Sequence, residues 1–261
     1  HDGDLPARSG LGSSSSFTVG LLHALYALLG TMPSKHQLAV EGIHIEQKMI
    51  RETVGSQDQT SAAYGGFNHI RFKQSCEIDV QPMTLSPDLL EELDSHLMLF
   101  YTGVIRTAEE VAKSYVNDIE SKNKQLVLMG QMVNEAISIL NDNKDLNSFG
   151  ELLHQAWVAK RSLSHLVSNP IVDDIYNLAR KAGAIGGKLS GAGGGGFLFL
   201  FVPPEKQTNV MEKLNNLIHV PFNMESSGSQ IIFYDPQRRY SAEEKLRSEK
   251  SISPFIELDQ L

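Results

Sequence analysis

The sequence predicts an α+β protein with two unlike halves, and three observations carry that prediction. Segments with helical spacing of apolar residues fill most of residues 13–50 and 106–182. Short, dense apolar runs, such as 96–102 and 197–202, read as buried strands. In the second half the order strand, helices, strand, strand, helix, strand suggests an α+β sandwich.

Taken along the chain, His1 to Pro6 reads as the end of a strand or an approach loop. Ser13 to Leu29 reads as a helix closed by Gly30, and Met32-Pro33-Ser34 as a turn. Ser34, with Gln37 three residues on, is a capping box and opens a helix to about Ile50. Arg51 to Gly66 is polar and glycine-punctuated, a loop followed by a short turn of helix. Phe67–Phe72 and Glu77–Val80 have strand character. Pro82 and Pro87 break the pattern and place a domain boundary near residue 84. Helices are predicted over Arg106–Leu128, Gly130–Asn141, Ser148–Val167, Pro170–Ala182 and Glu205–Leu217. Further strands are predicted near His219–Phe222 and Gln230–Tyr234, before a charged tail from Ser241 to Leu261.

Composition narrows the class. The 261 residues suffice for one large or two ordinary domains, and 41% apolar with 21% charged residues is a globular balance. A formal net charge of −8 without a long basic run argues against a nucleic-acid or anionic-membrane surface. The single cysteine, Cys76, excludes an intrachain disulfide and reads as a small buried hydrophobe beside a strand. No apolar run approaches a membrane span and no secretory signal is visible, so the expectation is a cytoplasmic protein.

Chemistry concentrates in three places. The first is Pro6-Ala7-Arg8-Ser9-Gly10-Leu11-Gly12, running through four serines, Ser13 to Ser16, into an apolar helix. Glycines let backbone N–H groups converge on an anion, and the helix N-terminus adds unpaired donors and a positive dipole end. The same residues also read as a serine-capped helix. The second place is Gly186 to Gly196, directly before Phe197-Leu198-Phe199-Leu200-Phe201. Gly191, Gly193 and Gly196 satisfy G-x-G-x-x-G, but the motif opens a strand rather than a helix, which excludes a dinucleotide fold. A P-loop is excluded as well, because Lys188 is followed by Leu189. The third is Asp58 in Val54-Gly55-Ser56-Gln57-Asp58-Gln59, with Glu46 twelve residues upstream near a helix end. Phosphoryl transfer needs a metal ligand and benefits from a carboxylate beside the acceptor hydroxyl, and these two residues suit those tasks.

Together the three resemble the GHMP family of small-molecule kinases. Pro6, Gly10, Leu11, Gly12, Ser13 and Ser14 match its second motif, Pro-x-x-x-Gly-Leu-Gly-Ser-Ser. Lys188, Ser190, Gly191, Ala192, Gly193, Gly195 and Gly196 match its third, Lys-x-[Ser/Thr]-Gly-Ala-Gly-x-Gly-Gly. Gly55-Ser56-Gln57-Asp58-Gln59, Tyr64 to Asn68, and Leu99 to Gly103 followed by Arg106 most resemble its heptose 7-phosphate kinase branch. The family's first motif has no counterpart. The chain starts at His1, just ahead of the second motif, so the expectation is a fragment or a strand supplied from elsewhere.

The resemblance implies the GHMP fold. An incomplete N-terminal α/β domain resembling ribosomal protein S5 domain 2 would span residues 1–84, and a ferredoxin-like domain residues 85–240. It also implies ATP and Mg²⁺ as cofactors. ATP would rest on Pro6, Arg8, Ser9, Gly10, Leu11, Gly12, Ser13, Ser14 and Ser15. Mg²⁺ would be held by Ser14 and Glu46, with Ser13 competing as the hydroxyl ligand. Asp58 would be the base or orienting group for the anomeric hydroxyl of a sugar phosphate. Gly191, Ala192, Gly193 and Gly194 would close around the substrate. Arg106, or else Arg8, would meet a phosphate already on the sugar. A kinase for another sugar or an isoprenoid alcohol, and a non-catalytic binding protein, remain open at this point.

Overall fold

The computed structural model describes residues 10–104, 108–116, 119–142, 145–235 and 241–249. The chain forms two compact units, His1–Gln230 and Ile231–Leu261. Helix α1 spans Ser13–Leu28 and α2 spans Lys35–His44, the latter capped by the Ser34 hydroxyl, which accepts from the Gln37 N–H at 3.0 Å. A π-helical turn, Ile45–Ile50, extends α2 and ends at Arg51, which takes a left-handed conformation. Helix α3 (Gln57–Tyr64) follows, and Val19, Leu38, Ala39 and Ala63 lock the three helices together. The outer stripe of α1, Phe17, Leu21, Leu25 and Leu28, is exposed.

Strands β1 (Asn68–Phe72) and β2 (Ile78–Pro82) form an antiparallel hairpin. Cys76 lies in its turn, exposed and at φ 64°, so the expected buried position is corrected. Helix α4 (Pro87–Ser95) was not anticipated. Its N-terminus is set by the Ser86 hydroxyl and by a proline at its first position.

The rest of this unit is one antiparallel sheet with its helices. Strand β3 is Leu97–Tyr101, and it leads into helices α5 (Ala108–Val116), α6 (Asn123–Asn141), α7 (Leu146–Arg161) and α8 (Pro170–Ala182). Strands β4 (Gly186–Leu189) and β5 (Phe197–Phe201), helix α9 (Pro204–Lys213) and strand β6 (Ile218–His219) complete it. The strand order β4-β5-β3-β6 is that of a split β-α-β-β-α-β unit, so the ferredoxin-like expectation holds. Strand β5 is buried on both faces. Leu198 and Leu200 join Met98, Trp157, Tyr176 and Leu189, while Phe201 packs with Leu93, Leu140 and Leu146.

Several boundaries differ from expectation. The helix predicted over 106–128 is replaced by α5, a 3₁₀ turn at Ile119–Lys122 and the start of α6. Helix α6 runs straight through Gly130, because one glycine costs only about 1 kcal/mol in a helix whose apolar face is buried. Helix α7 stops at Arg161 rather than Val167. The strand near 219–222 shrinks to two residues, and 230–234 has no strand pairing. In the second unit Ser241–Ser248 is a helix, α10.

Helix α7 approaches the sheet through glycines. A Cβ on Gly186 would lie 1.9 Å from the Gly150 carbonyl oxygen, and one on Gly150 would lie 2.6 Å from the Phe201 ring. Gly186→Ala therefore has to push α7 off β4. Overpacking of this kind costs about 1–3 kcal/mol, or about 2–4 °C of Tm per kcal/mol in a chain of this size. A melt of Gly186→Ala is expected several degrees below the parent, and an unchanged Tm would refute the close approach.

Candidate active site

The first glycine loop ends where α1 begins. Gly10 and Gly12 have φ of 82° and 68°, the left-handed region that glycine enters without strain. Gly12 is the N-cap residue, and among the described residues no side chain caps α1, unlike α2, α4 and α8. The serine-cap alternative is therefore not realised. The first-turn N–H groups of α1 are left facing outward, the arrangement that suits an anion.

The serines divide by burial. Ser14 is exposed and Ser13 half-buried, whereas Ser15 is buried and its hydroxyl donates to Glu46 Oε2 at 2.9 Å. The hydroxyl that meets Glu46 is thus that of Ser15, one residue beyond the expected pair. Glu46 sits in the first turn of the π-helical segment and is only 1% exposed. Its Oε2 also accepts from the Gln59 side-chain amide, and its Oε1 is buried with no hydrogen-bond partner among the described residues. A π turn inserts a residue into the ladder and re-aims the side chains it carries. Gly42, one turn before, lets α1 come close: a Cβ there would lie 3.2 Å from Val19 Cγ2.

Asp58 stands in the first turn of α3, directly beside the loop. A Cβ on Gly12 would lie 3.2 Å from its Cβ and 3.4 Å from its Oδ2. Burial pushes the Asp58 carboxyl above the ordinary aspartate range, and the charge of Glu46 adds to this. A hydrogen bond from the Gln57 side chain and the charges of Lys160 and Lys188 pull the other way.

The second glycine loop closes on the first. The Ser190 hydroxyl donates to the Gly10 carbonyl oxygen at 2.8 Å, and a Cβ on Gly191 would lie 2.9 Å from that same oxygen. Gly191 and Gly193 have φ of 61° and 108°. The Lys160 ammonium donates to the Gly191 carbonyl, while Asn169 and Val167 hold Gly194 through its carbonyl and its N–H. Gly191, Ala192, Gly193 and Gly194 are thereby placed around Gly10. Pro6, Arg8, Ser9 and Arg106 lie outside the described residues.

Two residues of this neighbourhood had no expected role. Lys188 was visible only as part of the third motif. Lys160 gave no signal, because a basic residue in the last turn of a helix ordinarily answers the helix dipole.

A metal ion is implied by the family resemblance. Among the described residues no cluster of three or more His, Cys, Asp or Glu side chains is arranged to hold one. The unpartnered Oε1 of Glu46, with hydroxyls of the first α1 turn nearby, fits a cation that takes one carboxylate from protein and the rest from phosphate and water, as Mg²⁺ does.

Residues 1–66 match the GHMP kinases N terminal domain and residues 133–219 the GHMP kinases C terminal domain. The D-glycero-alpha-D-manno-heptose 7-phosphate kinase of Campylobacter jejuni is 32% identical over 81% of this chain and 62% of its own length. The mevalonate kinase of Pyrococcus horikoshii is 30% identical over 76% of this chain and 57% of its own. A crystal structure of a D-glycero-D-manno-heptose 1-phosphate kinase from Bacteroides thetaiotaomicron superposes with a TM-score of 0.65 at 28% identity, covering 89% of this chain and 66% of that one. The chain therefore spans about 62% of the length of the curated heptose kinase it matches. With both family models matched in order along the chain and 32% identity to a heptose kinase over 81% of it, the chain belongs to the GHMP kinase family.

Proposed function

We propose that the chain is the core of an ATP-dependent kinase that phosphorylates a hydroxyl of a heptose phosphate. The observation that supports this most is the junction at Gly10–Gly12, where an uncapped helix N-terminus, a second glycine loop and a half-buried carboxylate meet. The two heptose kinases among the relatives are named for substrates phosphorylated at different positions, 7 and 1, so the shared class is a heptose monophosphate. Our reading takes the anomeric hydroxyl of the 7-phosphate as acceptor, giving the 1,7-bisphosphate. A boundary near residue 84 belongs to the same reading, with the nucleotide side before it.

In this reading Gly10, Leu11, Gly12 and Ser13 to Ser15 bind the nucleotide phosphates through backbone N–H groups and hydroxyls. Pro6, Arg8 and Ser9 belong to the same cradle. Glu46, with Ser14 or the Ser15 hydroxyl now bonded to it, would hold Mg²⁺, which when bound offsets the charge of the phosphates. Asp58 accepts the acceptor's proton or orients its hydroxyl, and Arg106 meets the phosphate already on the sugar. Burial suits Asp58 to its task, since a carboxylate with a raised pKa is a better base near neutral pH. Transfer then depends on positioning and charge, with no covalent enzyme intermediate.

A second reading keeps the site and changes the acceptor, because a mevalonate kinase matches almost as long a stretch. ADP release against a panel of heptose phosphates, fucose, galactose and mevalonate separates the two. Turnover of mevalonate alone would overturn the sugar assignment.

Asp58→Asn is expected to lower kcat about 10²–10⁴-fold, the usual share of a general base, with nucleotide Kd nearly unchanged. Near-normal turnover in the full chain would remove Asp58 from that role. In the parent the acidic limb of kcat/KM is expected above the ordinary aspartate value, activity falling as pH drops and Asp58 takes up a proton. Glu46→Gln should raise the Mg²⁺ concentration needed for half-maximal rate. An unchanged metal titration would contradict the ligand assignment.

A further inference from the structure

Lys160 and Lys188 take no part in the mechanism above, yet the charge of each acts on Asp58. Lys160 lies in the last turn of α7 and Lys188 on β4, two residues before Ser190, so two separate elements bring lysines to the neighbourhood of the glycine-loop seam. One donor of Lys160 is spent on the Gly191 carbonyl. Among the described residues the Lys188 ammonium makes no hydrogen bond or ion pair. Both residues are half-buried. Burial and the charge of Lys188 bring Lys160 down to about 7, and burial pushes Lys188 down, while Asp58 pulls both up. Glu46 is bonded to Ser15 and Gln59, and its charge acts on Asp58 and not on either lysine. Two lysines that burial pushes down, near a single carboxylate, are costly to keep charged unless an anion joins them.

Their position says which anion. The Lys160 ammonium sits on Gly191, the residue that abuts Gly10, and Lys188 lies on β4 two residues before Ser190, which bonds Gly10, so both lysines belong to the seam between the two glycine loops. A compact ammonium with three donors suits the oxygens of a tetrahedral oxyanion, and a dianion balances two ammonium charges. We infer that Lys160 and Lys188 form a paired-cation seat for one phosphoryl group at this seam, facing Asp58. The inference rests on the phosphate-handling reading above and deepens it. That phosphoryl group is either the terminal phosphate of the nucleotide or the phosphate already on the acceptor.

Calorimetric titration of the full chain separates the sources. The ligands are ADP, a non-hydrolysable ATP analogue, heptose and heptose 7-phosphate, and the variants are Lys160→Met, Lys188→Met and Lys160→Arg. Loss of a charged hydrogen bond corresponds to about 10- to 100-fold in Kd. If the seat takes the nucleotide's terminal phosphate, both Met variants weaken the ATP analogue by that factor and spare ADP. If it takes the acceptor's phosphate, they weaken heptose 7-phosphate and spare heptose and both nucleotides. Lys160→Arg, which keeps the charge, should recover most of the affinity. At pH 8 the parent should also take up protons on binding, because an anion raises Lys160 from about 7. The measured enthalpy then varies with the buffer's ionisation heat, and this variation should vanish in Lys160→Met. Equal weakening of every ligand, or no weakening in either Met variant, would overturn the seat; a melting curve for each variant excludes simple unfolding. Selective binding without any sugar turnover would leave the seat standing and sink the kinase reading instead.

Discussion

The meeting of the two glycine loops is the contact on which the site depends. The Gly10 carbonyl accepts from the Ser190 hydroxyl and lies where a Cβ of Gly191 would press. A side chain at either glycine would have to adopt a left-handed backbone, and one at Gly191 would also press the loops apart. Residues 180 positions apart are joined by atoms with no room to spare. Loop closure over that length is expensive in entropy, so the ordering has to come from packing elsewhere.

That packing is the approach of α7 to β4. Gly150 and Gly186 remove the side chains that would separate them, and the buried β5 strand fixes the plane against which both sit. The consequence reaches the chemistry, because α7 carries Lys160 and β4 carries Lys188 and leads into Ser190. A similar economy operates in the N-terminal helices, where Gly42 lets α1 meet α2 and a π turn aims Glu46 at Ser15. Loop 225–229 ties this end to the rest of the unit. Lys35 donates to the Tyr64 and Ser227 carbonyls, and Gly65 touches the Gly228 backbone.

Charge in the site is arranged by burial more than by pairing. Asp58 is pushed up and the lysines down by the same burial, which narrows the gap between acid and base. Glu46 follows another rule. One of its oxygens is fully engaged by Ser15 and Gln59, while the other is held open inside the protein. An open carboxylate oxygen in a dry place is a costly feature, and a cation is the ligand that removes the cost.

The local code was legible wherever the physics is local. Ser34 capping of α2, the hairpin of β1 and β2, the buried β5 strand and the glycine loops all follow from residue types at short spacing. Gly130 misled because a helix tolerates a glycine when its neighbours pack well, and 230–234 misled because apolar residues pair as strands only when an edge is offered. By itself the sequence carried the family motifs, showed the buried β3 and β5 strands and offered Asp58 and Glu46 as candidates, but it hid β4 inside what reads as a glycine loop. Only the tertiary structure decided that Ser15 rather than Ser14 meets Glu46, and that Lys160 reaches the Gly191 carbonyl at the seam of the two loops. Both outcomes turn on how helices lie against one another, and a helix's own residues do not record which neighbour its last turn will face.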